Sequence, residues 1–327
     1  MRCLLLLVAM LFCSSVSALT LKIATISPDG TTWMQEMRKG ADEISRLTQG
    51  RVAFRFYPGG VMGSDKQVLR KIRIGQLHGG AMTGGGLQEI YPDSQIYSLP
   101  FAFRSTDEVD YVRQHMDAML TQGLLDKGFV SFGFAEGGFA YLMSGRPIRS
   151  QEDLKDHKVW VPEGDRVSQL AFSIAKVSPV SLPLPDVLTG LQTGLIDTIG
   201  ASPIGAIALQ WHTRIKYVTD IPLMYIYGIL IVDRRVFDRV SPADQKIVKQ
   251  VMHDVFNKLN QDNRRENGEA RRALEAQGIE FIKPTGKNLQ EWEDLMDNAL
   301  VQNGSRLFTP KVLETLNHYL HDYRQSH

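Results

Sequence analysis

The stretch LKIATISPDGTTWMQ, residues 21–35, sets the pattern that much of the chain repeats. Leu21–Ile26 alternates apolar and polar residues as a half-buried strand does, and Pro28-Asp29-Gly30 stops it. Thr32-x-x-Gln35 has the spacing of a capping box, in which side chains satisfy the free N–H groups of a helix start. The helix is predicted to end near Gln49-Gly50. Val52–Tyr57 reads as the next strand, closed by Pro58-Gly59-Gly60. Ser64-x-x-Gln67 opens a second helix to about Gly75, and Leu77–Met82 reads as a third strand. This β-α-β-α-β order predicts a parallel sheet with helices on its faces.

The pattern then restarts. Ser105-x-x-Glu108 begins a helix reaching about Lys127, followed by strands at Phe129–Phe134 and Phe139–Met143. Strands at Lys158–Val161 and Val180–Leu182 alternate with helices at Arg166–Val177 and Asp186–Thr193, after a short turn at Gln151–Leu154. Leu195–Ala201 and Tyr225–Val232 are expected to complete a second sheet. Ser241-Pro242 is a helix start, and the helical pattern runs to about Gln277, with a kink expected near Asn267-Gly268. A short strand follows at Ile279–Ile282. Two α/β units joined by repeated crossings predict two lobes with a cleft, where small ligands commonly sit.

The chain has 327 residues and two cysteines, Cys3 and Cys13. Both fall in Met1–Ala18, which has one Arg, an apolar run Leu4–Phe12, no acidic residue and the small-residue site Val16-Ser17-Ala18. This is the layout of a secretory signal, expected to be cut after Ala18. Phe12 before Cys13 argues against lipid attachment. The exported chain then has no disulfide, thiolate metal site or thiol nucleophile. It loses Arg2 from 37 basic residues and so balances its 36 acidic ones. Balanced charge gives no sign of a nucleic-acid or anionic-membrane binder, and no later stretch is apolar for long enough to span a bilayer.

The motifs of catalysis are missing. There is no G-x-S-x-G, H-E-x-x-H or phosphate-binding P-loop, and the clusters Gly59-Gly60, Gly84-Gly85-Gly86 and Gly137-Gly138 do not form G-x-G-x-x-G. His318, His321 and Asp322 have helical spacing that could meet at a metal, but their polar surroundings favour a solvated face. Glu136, between a strand and two glycines, reads either as a buried acid or base or as a hydrogen-bonded structural carboxylate. No nucleophile–base pair emerges, so no catalytic residue, metal or cofactor is expected and a binding protein is favoured over an exported hydrolase.

A series of short motifs carries a resemblance. It runs through Leu21–Ile26, Thr48-Gln-Gly-Arg-Val52, Tyr57-Pro-Gly-Gly60, Met62-Gly-Ser-Asp65 and Leu99-Pro-Phe-Ala-Phe103. Asp153-Leu-Lys155, Lys158-Val-Trp-Val-Pro162, Leu191-Gln-Thr-Gly-Leu-Ile-Asp197 and Ser241-Pro-Ala-Asp-Gln245 continue it. In order and spacing the chain resembles the solute-binding proteins of TRAP transporters, of the dicarboxylate-binding (DctP-like) type. The resemblance implies an α/β, two-lobed periplasmic binding protein fold, with a cleft between lobes and a long C-terminal helix crossing both. It also implies a periplasmic receptor, not an enzyme, that hands a small molecule to the subunits of a TRAP-type membrane permease. The lobes are expected at 19–142 plus 233–327 and at 143–232.

This chain departs from the family at the ligand. Many members hold a carboxylate with an arginine just before Val-Pro, where a guanidinium fork matches the carboxylate. Here that position is Trp160, and a second family arginine falls at Ala140. A family asparagine falls at Ala201 and a pocket phenylalanine at Leu184. One reading is a pocket refitted for an apolar, aromatic or uncharged ligand, lined by Trp160, Trp211, Tyr225 and Tyr227. A second is an organic acid held by a relocated arginine: Arg146, Arg149, Arg166 or Arg214. A third is a cation stacked on Trp160 and paired with Asp29, Glu136 or Asp220. Asp29, Trp33, Thr83 and Gly84 are further candidates at strand ends facing the expected cleft. A receptor that presents its ligand to a sensor rather than a permease is the remaining alternative.

Overall fold

The structure is a computed structural model that describes residues 18–292, 294 and 307–327. The expected signal, residues 1–18, lies outside the described residues except for Ala18. The strands are β1 (Leu19–Thr25), β2 (Val52–Tyr57), β3 (Gly79–Thr83), β4 (Phe129–Ser144), β5 (Trp160–Pro162), β6 (Val180–Leu182), β7 (Thr198–Ala201), β8 (Tyr217–Asp233) and β9 (Glu280–Ile282). The helices are α1 (Thr32–Leu47), α2 (Asp65–Arg73), α3 (Thr106–Asp126), α4 (Arg166–Ile174), α5 (Val187–Thr193), α6 (Pro203–Ala208), α7 (Arg234–Phe237), α8 (Pro242–Ala276) and α9 (Pro310–Ser326).

The opening β-α-β-α-β unit forms as its pattern predicts, with β2 and β3 both parallel to β1. Leu21 and Ile23 are fully buried, as the alternation requires. In α1 the buried residues Met34, Met37, Ala41 and Ile44 follow helical spacing. Its N-cap is Thr31, whose hydroxyl accepts from the Met34 N–H, one residue before the expected cap. Thr32 instead donates to Glu266 of α8 at 2.7 Å. In α2 the expected return bond is present: Gln67 Oε1 accepts from the Ser64 N–H at 3.0 Å.

The second half differs from the pattern. A seven-stranded mixed sheet runs in the order β2-β1-β3-β8-β4-β7, with β9 beside β8, so β7 and β8 do not build a separate second sheet. Among the described residues, only β5 and β6 pair apart from it. The two strands expected at 129–143 are one strand, β4, paired antiparallel along β8. Its register shifts at Ser131/Phe134, Glu136/Gly138 and Ala140/Leu142. Glycines at 133, 137 and 138 look like a strand break in sequence, but a bulge absorbs such residues without ending the pairing. Helix α8 continues through Asn267-Gly268; at 35 residues it is about 50 Å long.

Among the described residues, four apolar clusters form the core. Two flank the β1–β3 end: one with α3 and α9 around Tyr97, Met116 and Leu316, the other with α1 and α8 around Met37, Val248 and Leu259. Two flank the β7 end, around Trp160, Val187 and Trp211, and around Ile148, Phe172 and Leu223. Each lobe thus has helices or loops over both faces of its part of the sheet.

The lobes meet where α8 crosses the bulges of β4. Asn260 Oδ1 accepts from the Glu136 N–H at 2.7 Å, Asn263 donates to the Glu136 carbonyl, and Asn267 donates to the Gly137 carbonyl at 3.2 Å. Asn267 Oδ1 also accepts from the Ile204 N–H of α6 at 3.2 Å. Gly138 has φ +86°, and an added Cβ would lie 2.6 Å from Asn267 Nδ2, so glycine is required twice over.

Candidate functional site

A cavity of about 470 Å³ lies in the cleft. One wall is α2 with the loop Thr83–Glu89; the other is Pro162–Gly164 with Pro183–Pro185. The position follows from the fold, because two loops of the opening β-α-β unit face two loops that close the β5–β6 pair. The volume suits a small organic molecule.

The two walls differ in chemistry. Pro162, Pro183, Leu184 and Pro185 make the second wall largely apolar, with Glu163 as its charge. The first carries Lys66, Arg70 and Arg73, together with Asp65 and Glu89. Lys66, Arg70 and Arg73 are spaced i, i+4, i+7, so α2 presents them on one face. Among the described residues they form no ion pair. Asp65 Oδ2 accepts from the Thr83 N–H at 3.1 Å and the Thr83 hydroxyl at 2.7 Å. Burial pushes the Asp65 carboxyl above its ordinary range, and the Thr83 bonds oppose that shift.

Of the residues singled out from sequence, Thr83 and Leu184 line this cavity. Gly84 sits just behind it, beside Tyr227 and Gln95. Trp160 does not line it. Its Nε1 donates to the Leu182 carbonyl at 3.0 Å, and its ring, 4 % exposed, meets Trp211 edge-on at 5.3 Å. Leu184 packs against that same cluster, so Trp160 stands behind the cavity wall. Ala140 and Ala201 are buried in β4 and β7. Tyr225 is fully buried, its hydroxyl accepting from Arg113 at 3.4 Å, and burial holds that phenol above its ordinary range.

The acidic candidates are engaged elsewhere. Asp29 pairs with Arg38 on the surface. Asp220 takes a two-donor fork from Arg271 at 2.7 and 2.8 Å. Glu136, of the two readings left open, has the structural contacts: it is buried and accepts from Arg264 at 2.8 Å, while Arg264 also holds Asp110 at 2.7 Å. Burial raises the Glu136 carboxyl, and Arg264 works against it. Trp33 packs half-buried against the cluster between α1 and α8. Arg146, Arg149, Arg166 and Arg214 do not line the cavity, and Arg146 bonds to Asp197 and the Asp156 carbonyl. Among the described residues no three His, Cys, Asp or Glu side chains gather as a metal site would need.

Sequence reasoning passed over the basic face of α2. Its signal in the sequence is a 4-and-3 spacing of cations directly after a helix cap, a spacing that a merely solvated helix face shares.

A family model, "Bacterial extracellular solute-binding protein, family 7" (DctP), matches residues 23–305. The chain belongs to this family. The solute-binding protein RD1_1052 of Roseobacter denitrificans is 26 % identical over 301 residues, covering 91 % of this chain and 90 % of that one. The sialic acid-binding periplasmic protein SiaP of Vibrio cholerae is 21 % identical over 302 residues, covering 90 % and 92 %. Among solved structures, a TRAP periplasmic solute binding protein of Xanthobacter autotrophicus with bound β-D-galacturonate superposes with a TM-score of 0.84. It is 21 % identical, covering 92 % of this chain and 99 % of that one. This DctP-family chain is therefore a solute-binding protein and not an enzyme, with the two-lobed α/β fold of TRAP receptors. Members of the family are periplasmic and serve TRAP permeases. No described helix is long and apolar enough to cross a membrane.

Proposed function

We propose that this chain is the periplasmic receptor of a TRAP-type permease, released by cleavage after Ala18, and that it captures a small organic acid in the cleft beside α2. The observation that carries the acid is the row Lys66, Arg70, Arg73, three cations without an ion-pair partner among the described residues on a cavity wall. A carboxylate matches an arginine fork, and the partly enclosed site strengthens such a bond. The ligands named for similar proteins, sialic acid and β-D-galacturonate, are acids too. The apolar or aromatic ligand expected from Trp160 has no such support. That ring and its N–H are used inside the protein, and the apolar wall in front of it suits the carbon face of a hydroxy or aromatic acid.

The lobes in this reading divide within the long strands. Gly228–Val232 of β8 pair with β3, while Tyr217–Thr219 pair with β4 and β9. We place the crossings near the β4 bulges at 136–142 and the facing part of β8, rather than at 142–143 and 232–233.

A thermal-shift screen pairing organic acids with their amides tests the ligand class. Acids are expected to raise the melting temperature and amides not. The double variant R70A/R73A should weaken the best acid by about 2–4 kcal/mol, two charged hydrogen bonds. Equal shifts from acid and amide, or unchanged affinity in the double variant, would overturn the proposal.

A further inference from the structure

The cavity wall facing α2 has one charged lining residue, Glu163, and a tight turn fixes its place. The Asp165 N–H donates to the Pro162 carbonyl at 3.1 Å, and Gly164 between them has φ +83°. That is a type II turn, with Glu163 at its first corner and glycine where positive φ is needed. The Glu163 N–H donates to the Leu182 carbonyl at 3.1 Å. The same carbonyl accepts from Trp160 Nε1 at 3.0 Å. Trp160 is itself packed against Trp211, so the backbone of Glu163 is anchored to the core.

The side chain, by contrast, has no partner. Among the described residues, the exposed Glu163 carboxylate makes no hydrogen bond or ion pair. Its neighbour Asp165 is committed, accepting from the Ser168 N–H at 3.1 Å, the Ser168 hydroxyl at 2.6 Å and Gln95 Nε2 at 3.0 Å. On the α2 wall, Asp65 and Glu89 share their surface with Lys66, Arg70 and Arg73. On its own wall Glu163 is accompanied by Pro162, Gly164, Pro183, Leu184 and Pro185, none of which has a side-chain donor. Water satisfies such a carboxylate until a ligand displaces it; the ligand must then supply the donor or leave the charge unpaired.

We propose that Glu163 is a specificity-determining residue of the cleft. It accepts a hydrogen bond from a hydroxyl or ammonium group at the end of the ligand remote from its carboxylate. This rests on the reading of the α2 row as the carboxylate site. The two ends of the ligand then meet opposite chemistry, cations on α2 and a lone acceptor on the Pro162–Asp165 turn. An acid that ends in plain hydrocarbon dehydrates Glu163 without pairing it, which disfavours that acid. A second carboxylate at the remote end is disfavoured by like charge. The substrate class narrows to hydroxy acids and amino acids, against dicarboxylates and simple fatty or aryl acids.

The test is calorimetric titration with two matched series. One is hexanoate and the same acid with a hydroxyl, an ammonium or a carboxylate on its last carbon. The other is phenylacetate with hydrogen, hydroxyl, aminomethyl or carboxylate at the para position. In at least one series a donor form should bind wild type about tenfold more tightly than its parent, the effect of one charge-assisted hydrogen bond. The hydroxyl and ammonium arms show which donor is used. E163A removes the acceptor, and E163D keeps the charge but draws it back. Both should bring donor form and parent to within about threefold of each other, since the bond is lost in each. The proposal is overturned if wild type binds neither series or shows no donor preference. A carboxylate form that binds as well as the best donor form also overturns it. So does a preference that survives in either variant; in E163D that would mean a general field and not a contact. The wild-type comparison needs no variant, so it decides even if a substitution unfolds the protein. The amide of each parent is run beside it. Acid preferred over amide without donor preference defeats this inference alone. Amide equal to acid with a Glu163-dependent donor preference defeats the acid reading and leaves the Glu163 contact standing.

Discussion

The two walls of the cleft are built on opposite principles. The α2 wall leaves charges facing the cavity: Lys66, Arg70 and Arg73 have no ionic partner among the described residues. The wall at Pro183–Pro185 shows the cavity aliphatic carbon and keeps its polar atoms behind, where the Trp160 N–H meets the Leu182 carbonyl. Unpaired surface charge costs little in water and becomes useful when a ligand excludes that water. A buried tryptophan has no such reserve, because its contacts are already made. In the proposed reading the first wall serves recognition and the second shape, and the variants below push on that contrast.

The largest effect is expected from W160A. Emptying a packed indole site should cost about 3–5 kcal/mol of stability, read by urea denaturation of the ligand-free protein. A ligand-contact tryptophan would instead lose affinity with little loss of stability, so an unchanged midpoint would move Trp160 into the site. R70A/R73A should show the reverse: lost affinity and a nearly unchanged midpoint.

Next comes R264A, on α8 where that helix crosses the bulges of β4. It leaves Glu136 buried without its cation and should cost about 3 kcal/mol at neutral pH. The Glu136 carboxyl already lies above its ordinary value, and removing Arg264 raises it further. The group is then neutral at low pH, so the deficit should shrink as pH falls through the carboxylate range. Melting curves of wild type and variant at several pH values would show whether they converge; a constant gap would mean that Glu136 is not the group left exposed to the loss.

The same contrast explains what was legible beforehand. The opening unit could be read because β1, α1 and β2 bury one face each, so burial writes its period into the residues. The family could be read from the order of its short motifs. The union of β4 was hidden because Gly137-Gly138 signals a break locally, while the asparagines that hold the bulge lie more than 120 residues later in α8. The lining of the candidate cavity was legible in part. Thr83 and Leu184 line the cavity, yet Trp160 at the position of a family ligand residue turned inward to Trp211, a choice made by packing across 51 residues. The basic row of α2 was written plainly in the sequence, but a charged helix face is equally consistent with plain solvation until the opposite wall is known.

The smallest effect is expected at Asp65, where the charged wall turns into structure. Its carboxyl is raised by burial beyond what two bonds from Thr83 recover. A carboxyl raised in the folded state binds its proton more tightly there than in the unfolded chain. The stability this contributes is fully present below the unfolded value and is lost as pH rises through the folded one. D65N keeps an oxygen to accept from Thr83 and removes the charge. Wild type and D65N should therefore match most closely at low pH, with D65N gaining on wild type as pH rises toward neutral. The check is the difference in melting temperature between the two proteins across pH 4 to 7, about the range in which a raised carboxyl titrates. A difference that is flat, or that grows toward acid, would show that Asp65 is held ionised, and the α2 wall would then present its three cations against a permanent anion.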